Sequence, residues 1–413
     1  GITSPLQDLS GVGKVDWNIS PTTEANVHVV GGLRRWRDYE FSWRYNLLGL
    51  PERRNSFFRA SASLTQTFGD RNLASLVVAY NRQSGQIGPE HREDVSLVPY
   101  QYDFFLQYIV EGSRAWRASM THQTMTLKGD VHHQEGEHSL KAGVMADFFD
   151  IRSDVLKVEP QLTYYGKPIP GVPMLDYSSV YAYRPYRLAA YTQDRVQLAS
   201  DGSIATLGVR WDMLDPTAAR PAIEYLPTLP GEYRQEVKEW VPARRKMQVS
   251  PRLALTSPIG VSSYLFINFG QYYQFPAFEL LYAGLSPSQL GVGFRNVRSG
   301  NPDLSPERTI AWEIGIKRGF SDRTVATVTY FRKRMQNQID AMTLIPFDSK
   351  SSGDFGFAAY VNNAEATAQG VELLLHHEPG AHARGSLSYG YMVTEGVSED
   401  VDQNIRRAQW GFD

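Results

Sequence analysis

Apolar and polar residues alternate with a period of two along much of this 413-residue chain, and no other feature restricts its possible folds as strongly. Successive side chains of a β-strand point to opposite faces of a sheet, whereas an α-helix repeats about every 3.6 residues. The alternation therefore predicts strands with one apolar face. The clearest segments are Ser139–Phe149, Ser203–Met213, Val261–Tyr273 and Arg308–Arg318.

Two classes of connection join these segments. The short connections carry the Gly, Asp or Pro residues of tight turns, and they are Phe68–Arg71, Glu135–His138, Ser200–Ser203, Pro258–Gly260, Phe320–Arg323 and Pro379–His382. The long connections alternate with them, and they are Asn81–Thr121, Arg152–Pro185, Leu214–Lys246, Gln274–Glu307 and Ala341–Glu365. Outer-membrane barrels have short periplasmic turns and longer extracellular loops. The sequence therefore predicts an all-β, antiparallel up-and-down transmembrane β-barrel whose long loops share one end.

About fourteen strands fit this pattern, on a template of ~10-residue alternating segments. The first starts near Ser10 and the last ends near Val393. Tyr102–Val110 could form a strand within Asn81–Thr121, but reading that stretch as one loop keeps the up-and-down order. The alternative is a soluble propeller or sandwich. A propeller would show a repeat of roughly 40–50 residues with similar connections, and the sequence shows neither.

Composition excludes several other classes. The longest apolar runs, such as Leu73–Tyr80, fall far short of the ~18 residues of a membrane-spanning helix. The 42 basic and 44 acidic residues provide no general attraction to nucleic acid, and we expect no nucleic-acid partner. Cysteine is absent, which excludes a disulfide scaffold and thiolate metal sites. The aromatic content suits the girdles of a barrel in contact with outer-membrane lipid.

The alternation also predicts which side chains contact lipid. We expect Leu207, Val209 and Trp211 to face lipid, and Arg210 and Asp212 to face the lumen. A charge facing lipid near the bilayer midplane costs ~2–4 kcal/mol, so the opposite register is strongly disfavoured.

Two segments carry distinctive motifs. Gly300–Thr309 has the pattern G-N-P-x-L-x-P-E-x-[ST], and Tyr360–Glu372 contains the pattern N-x-x-x-[AT]-x-x-x-G-[VF]-E. Both patterns resemble segments of one family, the TonB-dependent receptors. Val328–Arg332 between them resembles its V-T-Y-F strand. Further similar segments are Ala189–Asp194, Gly208–Asp212, Ser250–Leu253 and Gly270–Pro276. Trp116–Ile151 resembles the Oar-like subgroup, which has an N-terminal carboxypeptidase-regulatory-like domain.

The resemblance implies an energised importer in the bacterial outer membrane. Such receptors hold an N-terminal plug inside a barrel of about 22 strands, bind a ligand at the extracellular mouth and receive energy from the inner-membrane TonB complex. No plug, TonB box or signal peptide is recognisable in the sequence. We therefore expect residues 1–413 to be a partial barrel domain, with the plug, some early strands and the closing strands outside it. Two alternatives remain, an unplugged diffusion porin and an outer-membrane enzyme barrel.

The motifs also have a structural interpretation. Pro302 and Pro306 lack N–H donors and favour extended backbone before the strand near Arg308. We expect Glu307 where the loop meets the barrel. Gly370 is expected to leave room for a close neighbour within its strand.

An incomplete barrel should stay open. Strand number, tilt and shear together set the diameter, so a sheet curved for about 22 strands cannot close on about fourteen. We therefore expect no ladder hydrogen bonds between Val12–Ser20 and Ser386–Val393.

The sequence assigns no catalytic, cofactor-binding or metal-binding residue, since it lacks the G-x-S-x-G, H-E-x-x-H and P-loop motifs. His132-His133 and His376-His377 are adjacent pairs, whose side chains point to opposite faces of a strand and would not share an ion. The carboxylate-rich run Ser398–Asn404 is more typical of a solvated loop than of a calcium site. The ligand is unknown. Candidate contacts are the aromatic-rich stretches Trp36–Tyr45, Tyr100–Tyr108 and Tyr177–Tyr186.

Overall fold

A computed structural model describes residues 7–96, 98–198, 202–229, 232–285, 298–344, 357–378, 384–397 and 406–409. Its strands are β1 (Gln7–Ser20), β2 (Thr23–Arg37), β3 (Glu52–Phe68), β4 (Asn72–Ile87), β5 (Gln101–Asp103), β6 (Tyr108–Glu111), β7 (Ala115–Glu135), β8 (His138–Leu162), β9 (Pro168–Tyr183), β10 (Tyr186–Gln197), β11 (Ile204–Asp215), β12 (Ala219–Leu229), β13 (Glu232–Pro242), β14 (Lys246–Gly260), β15 (Ser263–Gln274), β16 (Arg298–Ser299), β17 (Glu307–Ser321), β18 (Thr324–Leu344), β19 (Phe357–His377), β20 (Gly385–Val397) and β21 (Arg406–Gln409). The helical elements are the 3₁₀ turns Phe41–Trp43 and Leu47–Gly49 and the single turn α1 (Phe278–Tyr282). None of the described helical segments is long and apolar enough to span a membrane.

One large sheet contains nearly all of these strands. Its antiparallel neighbours follow the order β1, β2, β3, β4, β7, β8, β10, β11, β14, β15, β17, β18, β19, β20, β21. β9 pairs with the part of β8 beyond its contact with β10, so β9 and β10 act as one long strand. The long strands from β1 to β20 are then fourteen, and the up-and-down prediction is confirmed.

Antiparallel pairing of the described strands places the long connections at one end and the short turns at the other, as predicted. The predicted turn Pro379–His382 itself lies outside the described residues. The bounds of three long connections were wrong. Ala341–Glu365 is shortened because β18 continues to Leu344 and β19 begins at Phe357. Arg152–Pro185 is mostly an extended hairpin, because β8 continues to Leu162 and β9 returns from Pro168. Asn81–Thr121 is shortened by the ends of β4 and β7, and the suspected strand Tyr102–Val110 is part of the small hairpin β5–β6. In these extensions the apolar alternation is weaker, so the sequence signal for a strand fades.

The curvature of the sheet follows from contacts between distant strands. Ile151 of β8 packs in the same cluster as Leu214 of β11, Ile339 of β18 and Tyr360 of β19. Seven neighbour steps separate β8 from β19, which is about 34 Å in a flat sheet at ~4.8 Å per step. A compact cluster can bridge these strands only if the sheet curves toward it. The face that carries Ile151 and Leu214 is therefore concave.

The predicted facing agrees with this geometry. Leu207 and Val209 have opposite parity to Leu214 and lie on the convex face, where they are 54% and 42% exposed. Trp211 shares their parity. Arg210 and Asp212 lie on the concave face, joined by a guanidinium–carboxylate pair at 2.7 Å. On β11, the apolar side chains of Leu207, Val209 and Trp211 thus point outward, and the charges of Arg210 and Asp212 point inward.

The sheet is open among the described strands. β1 pairs only with β2, and β20 pairs with β19 and β21. The described residues contain no ladder between β1 and β20, which confirms the expected open edges.

Candidate ligand-binding mouth

The long-loop end of the concave face is closed over by part of the β15–β17 connection. The side chains of Leu281 and Tyr282 in its turn α1 pack onto the sheet, and both are 0% exposed. We call the resulting group the inner cluster, which consists of Ile151, Leu214, Leu281, Tyr282 and Leu304. Because the residues come from two strands and both ends of one loop, the cluster fixes that loop across the mouth.

Tyr282 is the central side chain of this cluster. Its ring stacks on that of Tyr183, with centroids 4.2 Å apart, and its hydroxyl donates to the Pro216 carbonyl at 2.7 Å. Burial raises the pKa of Tyr282 well above its usual range, so the hydroxyl remains a donor. Two residues further along the chain, the Gly284 N–H donates to Ser179 Oγ at 3.1 Å. The loop is therefore attached to the β8–β9 hairpin and to the β11–β14 connection.

The segment 300–309 folds back against α1. The Gly300 N–H donates to the Ala283 carbonyl at 2.6 Å, and the Asn301 N–H donates to the Leu280 carbonyl at 2.9 Å. A Cβ on Gly300 would lie 2.8 Å from the Tyr282 nitrogen, so only glycine fits here. This close approach explains the glycine of the motif.

The two motifs that carried the resemblance contact each other. Asn362 Oδ1 accepts from the Ser305 N–H at 2.8 Å, and its Nδ2 donates to the Ser305 and Asn337 carbonyls at 3.0 and 2.8 Å. Asn301 Nδ2 donates to the Tyr360 carbonyl at 3.1 Å. Side-chain amides thus satisfy backbone groups that an irregular loop would leave unpaired. The motifs serve to hold the loop on the sheet.

The structure confirms the interpretations of Glu307 and Gly370 but not that of Pro302. Pro302 lies in a turn rather than in extended backbone, and both Pro302 and Pro306 are fully buried before β17. Glu307 begins that strand and accepts the Ile339 N–H at 2.9 Å. A Cβ on Gly370 would lie 2.3 Å from the carbonyl oxygen of Tyr391, so Gly370 leaves room for a neighbouring backbone.

A buried lysine ties the same loop to β14. Lys246 is 6% exposed, and its ammonium donates to the carbonyls of Pro302 and Arg244. Burial lowers the pKa of Lys246 to about 8, although the nearby carboxylates of Asp303 and Asp215 oppose this shift. Asp303 itself accepts the Arg244 N–H at 2.8 Å. The charge of Lys246 is therefore held mainly by carbonyl oxygens.

Beneath this loop the concave face forms an open, polar cavity of about 390 Å³. Arg187 and Arg210 line it, and each is held by a carboxylate: Arg187 pairs with Asp147 at 2.6 Å, and Arg210 with Asp212 at 2.7 Å. Arg252 lies over the Tyr272 ring at 4.8 Å and forms no ion pair with a described residue. The cavity therefore offers fixed hydrogen-bond donors, including one guanidinium without a carboxylate partner.

A second group of aromatic residues lies away from the inner cluster. We call it the outer cluster, and its buried members are Trp43, Leu50, Tyr100 and Ile109. The rings of Trp43 and Tyr100 meet edge to face at 5.1 Å. The outer cluster joins the β2–β3 connection to the β4–β7 connection.

Arg114 fixes the outer cluster by charge. Its guanidinium pairs with both carboxylate oxygens of Glu40 and lies 3.3 Å from Glu159, which is 6% exposed. It also lies over the rings of Trp43 and Trp116 at 5.1 and 4.5 Å. Burial, reinforced by the charge of Glu159, raises the pKa of Tyr100 above its usual range.

The three aromatic-rich stretches predicted from the sequence separate into two places. Trp36–Tyr45 and Tyr100–Tyr108 meet in and around the outer cluster, where Tyr45 and Tyr108 rings lie 4.9 Å apart. From Tyr177–Tyr186, Tyr181 and Tyr183 instead pack against the inner cluster. The sequence did not single out the arginine-lined cavity, although it did predict that Arg210 and Asp212, which line this cavity, face the lumen.

The histidine pairs behave as separate side chains. His132 contacts Ser139 Oγ at 2.8 Å, whereas His133 contacts Asn72 Oδ1 at 2.7 Å. His377 contacts Thr324 Oγ1 at 2.9 Å. Within the described ranges no group of three or more metal-ligating side chains is present. The carboxylate run Ser398–Asn404 lies outside the described residues.

Comparison with known families places the chain in one of them. The family model described as TonB dependent receptor-like, beta-barrel matches residues 5–410. A search of curated protein sequences finds no match.

Solved structures share the fold. The outer-membrane transporter YddB from Escherichia coli aligns with a TM-score of 0.63 at 14% identity, over 94% of this chain and 48% of its own. The ferric enterobactin receptor PfeA from Pseudomonas aeruginosa aligns with a TM-score of 0.62 at 17% identity, over 95% of this chain and 54% of its own. The copper transporter OprC aligns with a TM-score of 0.62 at 13% identity, over 95% and 53%. This chain therefore spans about half the length of these transporters and receptors.

Proposed function

The chain belongs to the TonB-dependent receptor-like β-barrel family of the bacterial outer membrane, and on that basis we propose that it forms part of an energised importer. A ligand binds at the extracellular mouth, and the inner-membrane TonB complex supplies the energy for its entry. The family and the solved neighbours are transporters and receptors rather than enzymes.

The observation that carries this proposal is the loop fixed across the mouth above an arginine-lined cavity. A loop held by the inner cluster and by the contacts of Asn301 and Asn362 presents a rigid surface, and rigid surfaces bind with less loss of conformational entropy. Arg187, Arg210 and Arg252 favour ligands with anionic or hydrogen-bond-accepting groups. Among the solved neighbours, PfeA is a ferric enterobactin receptor and OprC a copper transporter.

We also propose that residues 1–413 are a partial barrel domain of a longer protein. The lengths of the solved neighbours support this, because this chain covers only 48–54% of them. The plug, the TonB box and the closing strands then belong to the remaining sequence. The finer assignment to the Oar-like subgroup rests on the resemblance of Trp116–Ile151, and reading an N-terminal carboxypeptidase-regulatory-like domain in the full gene would support it.

Two measurements on the full-length protein test the importer proposal. In a planar bilayer we expect no steady open conductance, because a plug fills the lumen. In a pull-down we expect the purified receptor to bind the C-terminal domain of TonB. A large constitutive conductance without TonB binding would contradict the proposal and favour a diffusion porin.

The role of the cavity is tested separately. Arg252→Gln removes the guanidinium without a carboxylate partner, and we expect it to lower uptake of the natural ligand about tenfold or more, as for a lost charge-assisted hydrogen bond. Arg195→Gln is the matched control, since Arg195 lies on the same concave face near the short turns. Equal uptake by both variants would show that the cavity does not bind the ligand.

A further inference from the structure

One arginine at the exposed edge of the outer cluster lies among three aromatic rings. The central carbon of the Arg44 guanidinium is 4.6, 4.9 and 5.6 Å from the ring centroids of Tyr45, Tyr108 and Phe41. The rings also contact one another edge to face, since that of Tyr108 lies 4.9 Å from Tyr45 and 5.4 Å from Phe41. We call these three side chains the aromatic cage. Several aromatic faces around one cation form the arrangement with which proteins recognise organic cations.

Hydrogen bonds set the orientation of the guanidinium group in the cage. Arg44 Nη1 donates to the Tyr108 hydroxyl at 3.2 Å, and its Nη2 donates to the Tyr45 hydroxyl at 2.9 Å. A guanidinium group carries such donors in one fixed plane, whereas a quaternary ammonium group carries none. The cage therefore matches the hydrogen-bonding pattern of guanidinium as well as its charge.

The outer cluster holds the cage in place from two loops. Phe41 and Tyr45 belong to the β2–β3 connection and flank Trp43, which is 0% exposed. Tyr108 begins β6 and precedes Ile109, which is 5% exposed. Each ring of the cage thus lies within two residues of a buried anchor. A site that is already formed loses little conformational entropy when it binds a ligand.

The charge of Arg44 is not needed to balance a carboxylate. Arg114, in the same cluster, lies over two rings but pairs with Glu40 and Glu159. Arg44 is exposed and forms no ion pair with a described residue. Exposed cation–π contacts are weak, so the side chain can leave the cage at small cost. The cage can therefore exchange this cation for another.

The cage is accessible from outside. Phe41 and Tyr45 are 63% and 59% exposed, and exposed apolar surface on fixed elements marks sites of interaction. Across the described ranges, every other cation stacked on aromatic rings lies over one or two of them. The three rings around Arg44 are thus a distinct feature of this surface.

We propose that the aromatic cage is a binding site for the guanidinium group of a ligand, which takes the place of Arg44. The incoming group donates to the same two hydroxyl groups, and the Arg44 side chain turns into solvent. Two sources carry this group, an arginine side chain of a peptide and a small guanidino compound. The site is separate from the arginine-lined cavity, which favours anions, and it does not depend on energised import.

The test measures binding of ethylguanidine to the full-length protein in neutral detergent by ligand-observed NMR titration. Arg44→Ala empties the cage, and we expect about tenfold tighter binding because the internal competitor is gone. Adding Tyr45→Ala to this variant removes the nearest ring and one acceptor, and binding should weaken about tenfold again. Arg34→Ala is the matched control, since Arg34 is exposed and lies over the single ring of Trp36 at 5.2 Å. The control should bind ethylguanidine as the wild type does.

Equal binding of ethylguanidine by Arg44→Ala and the wild type would overturn the proposal. Exchange at the Asn46 amide, which is bonded to the Trp43 carbonyl, reports whether the loop is still folded. Should Arg44→Ala lose this protection, Arg44→Lys decides, because lysine keeps the charge but does not present the planar pair of donors. We expect this variant to bind ethylguanidine about threefold more tightly than the wild type, and unchanged binding would count against the proposal.

Two further ligands fix the chemical class. Choline is a cation without N–H donors, and we expect Arg44→Ala to bind it at least about fivefold more weakly than ethylguanidine. Equally tight binding of choline would show that the cage does not select guanidinium and would overturn the assignment. The tripeptide glycyl-arginyl-glycine separates the two sources. Tighter binding of the peptide than of ethylguanidine supports an arginine-containing peptide as the ligand, and equal binding supports a small guanidino compound.

Discussion

The inner and outer clusters both fix long loops at the same end of the sheet, yet they use different interactions. The inner cluster is apolar and is joined to the sheet by amide side chains that complete backbone hydrogen bonds. The outer cluster depends on one guanidinium that serves two carboxylates and two indole rings.

The difference shows what each assembly can tolerate. An apolar cluster loses stability in proportion to the volume removed and is insensitive to salt. A partly buried charge network fails as a unit, because removing one member leaves another buried and unpaired. We therefore expect the loop held by the inner cluster to stay attached around the cavity. We expect the loops joined by the outer cluster to detach when one charge of their network is removed.

Removing the central ring of the inner cluster should have the largest effect. Tyr282→Ala deletes a fully buried aromatic side chain, which costs about 4 kcal/mol. We expect the loop to detach locally while the barrel persists. Hydrogen exchange of the Gly300 and Asn301 amides, now bonded to carbonyls of α1, should then rise on the order of 10³-fold.

Tyr282→Phe is the control for that prediction. It removes only the hydroxyl that donates to Pro216, so we expect a loss of about 1 kcal/mol and roughly fivefold faster exchange. Wild-type protection in Tyr282→Ala would mean that the inner cluster does not hold the loop.

The outer cluster should respond somewhat less to the loss of its arginine. Arg114→Met leaves Glu159 buried without a cation, and we expect about 3 kcal/mol of local destabilisation. Exchange of the Asn46 and Gly49 amides should rise, while the Gly300 amide stays protected. Adding Glu159→Gln to Arg114→Met should restore part of the loss. An additive double variant would show that Arg114 acts by packing rather than by charge.

The pH should affect the inner loop through Lys246. Lys246 has a lowered pKa in the attached loop, about 8 against 10.5 in the detached state. Between these values the detached state binds more protons, so attachment strengthens by about 3 kcal/mol as pH rises from about 8 to about 10.5. Exchange at Asn301, measured against Lys246→Met at each pH, should slow over this window. If the ratio of the Asn301 exchange rates in the wild type and in Lys246→Met stayed constant across this pH range, Lys246 would not be desolvated.

The sequence predicted the sheet far better than the mouth, for a physical reason. Where a strand crosses the membrane, each side chain faces either lipid or the lumen, so parity alone predicts the facing of Leu207 and Arg210. Outside the membrane this constraint no longer applies, and the continuation of β8 to Leu162 was therefore missed. The contact of Asn362 with Ser305 joins positions 57 residues apart, and no local pattern encodes it. Only the resemblance to a family indicated that these two segments belong together.

The smallest effect is expected at the exposed edge of the outer cluster. Arg44 lies over the rings of Tyr45 and Tyr108 at 4.6 and 4.9 Å, but Phe41 and Tyr45 beside it are 63% and 59% exposed. Exposed cation–π contacts contribute about 0.5–1 kcal/mol, so Arg44→Gln should leave exchange at the Asn46 amide within about fivefold of the wild type. The comparison for this variant is Arg114→Met, which removes the arginine that holds the same cluster. If Arg44→Gln released the loop as fully as Arg114→Met does, the outer cluster would be held from its surface rather than from its buried charge, and the distinction between the two clusters would fail. A small effect on exchange would instead mean that these aromatic side chains can rearrange around a ligand at little energetic cost.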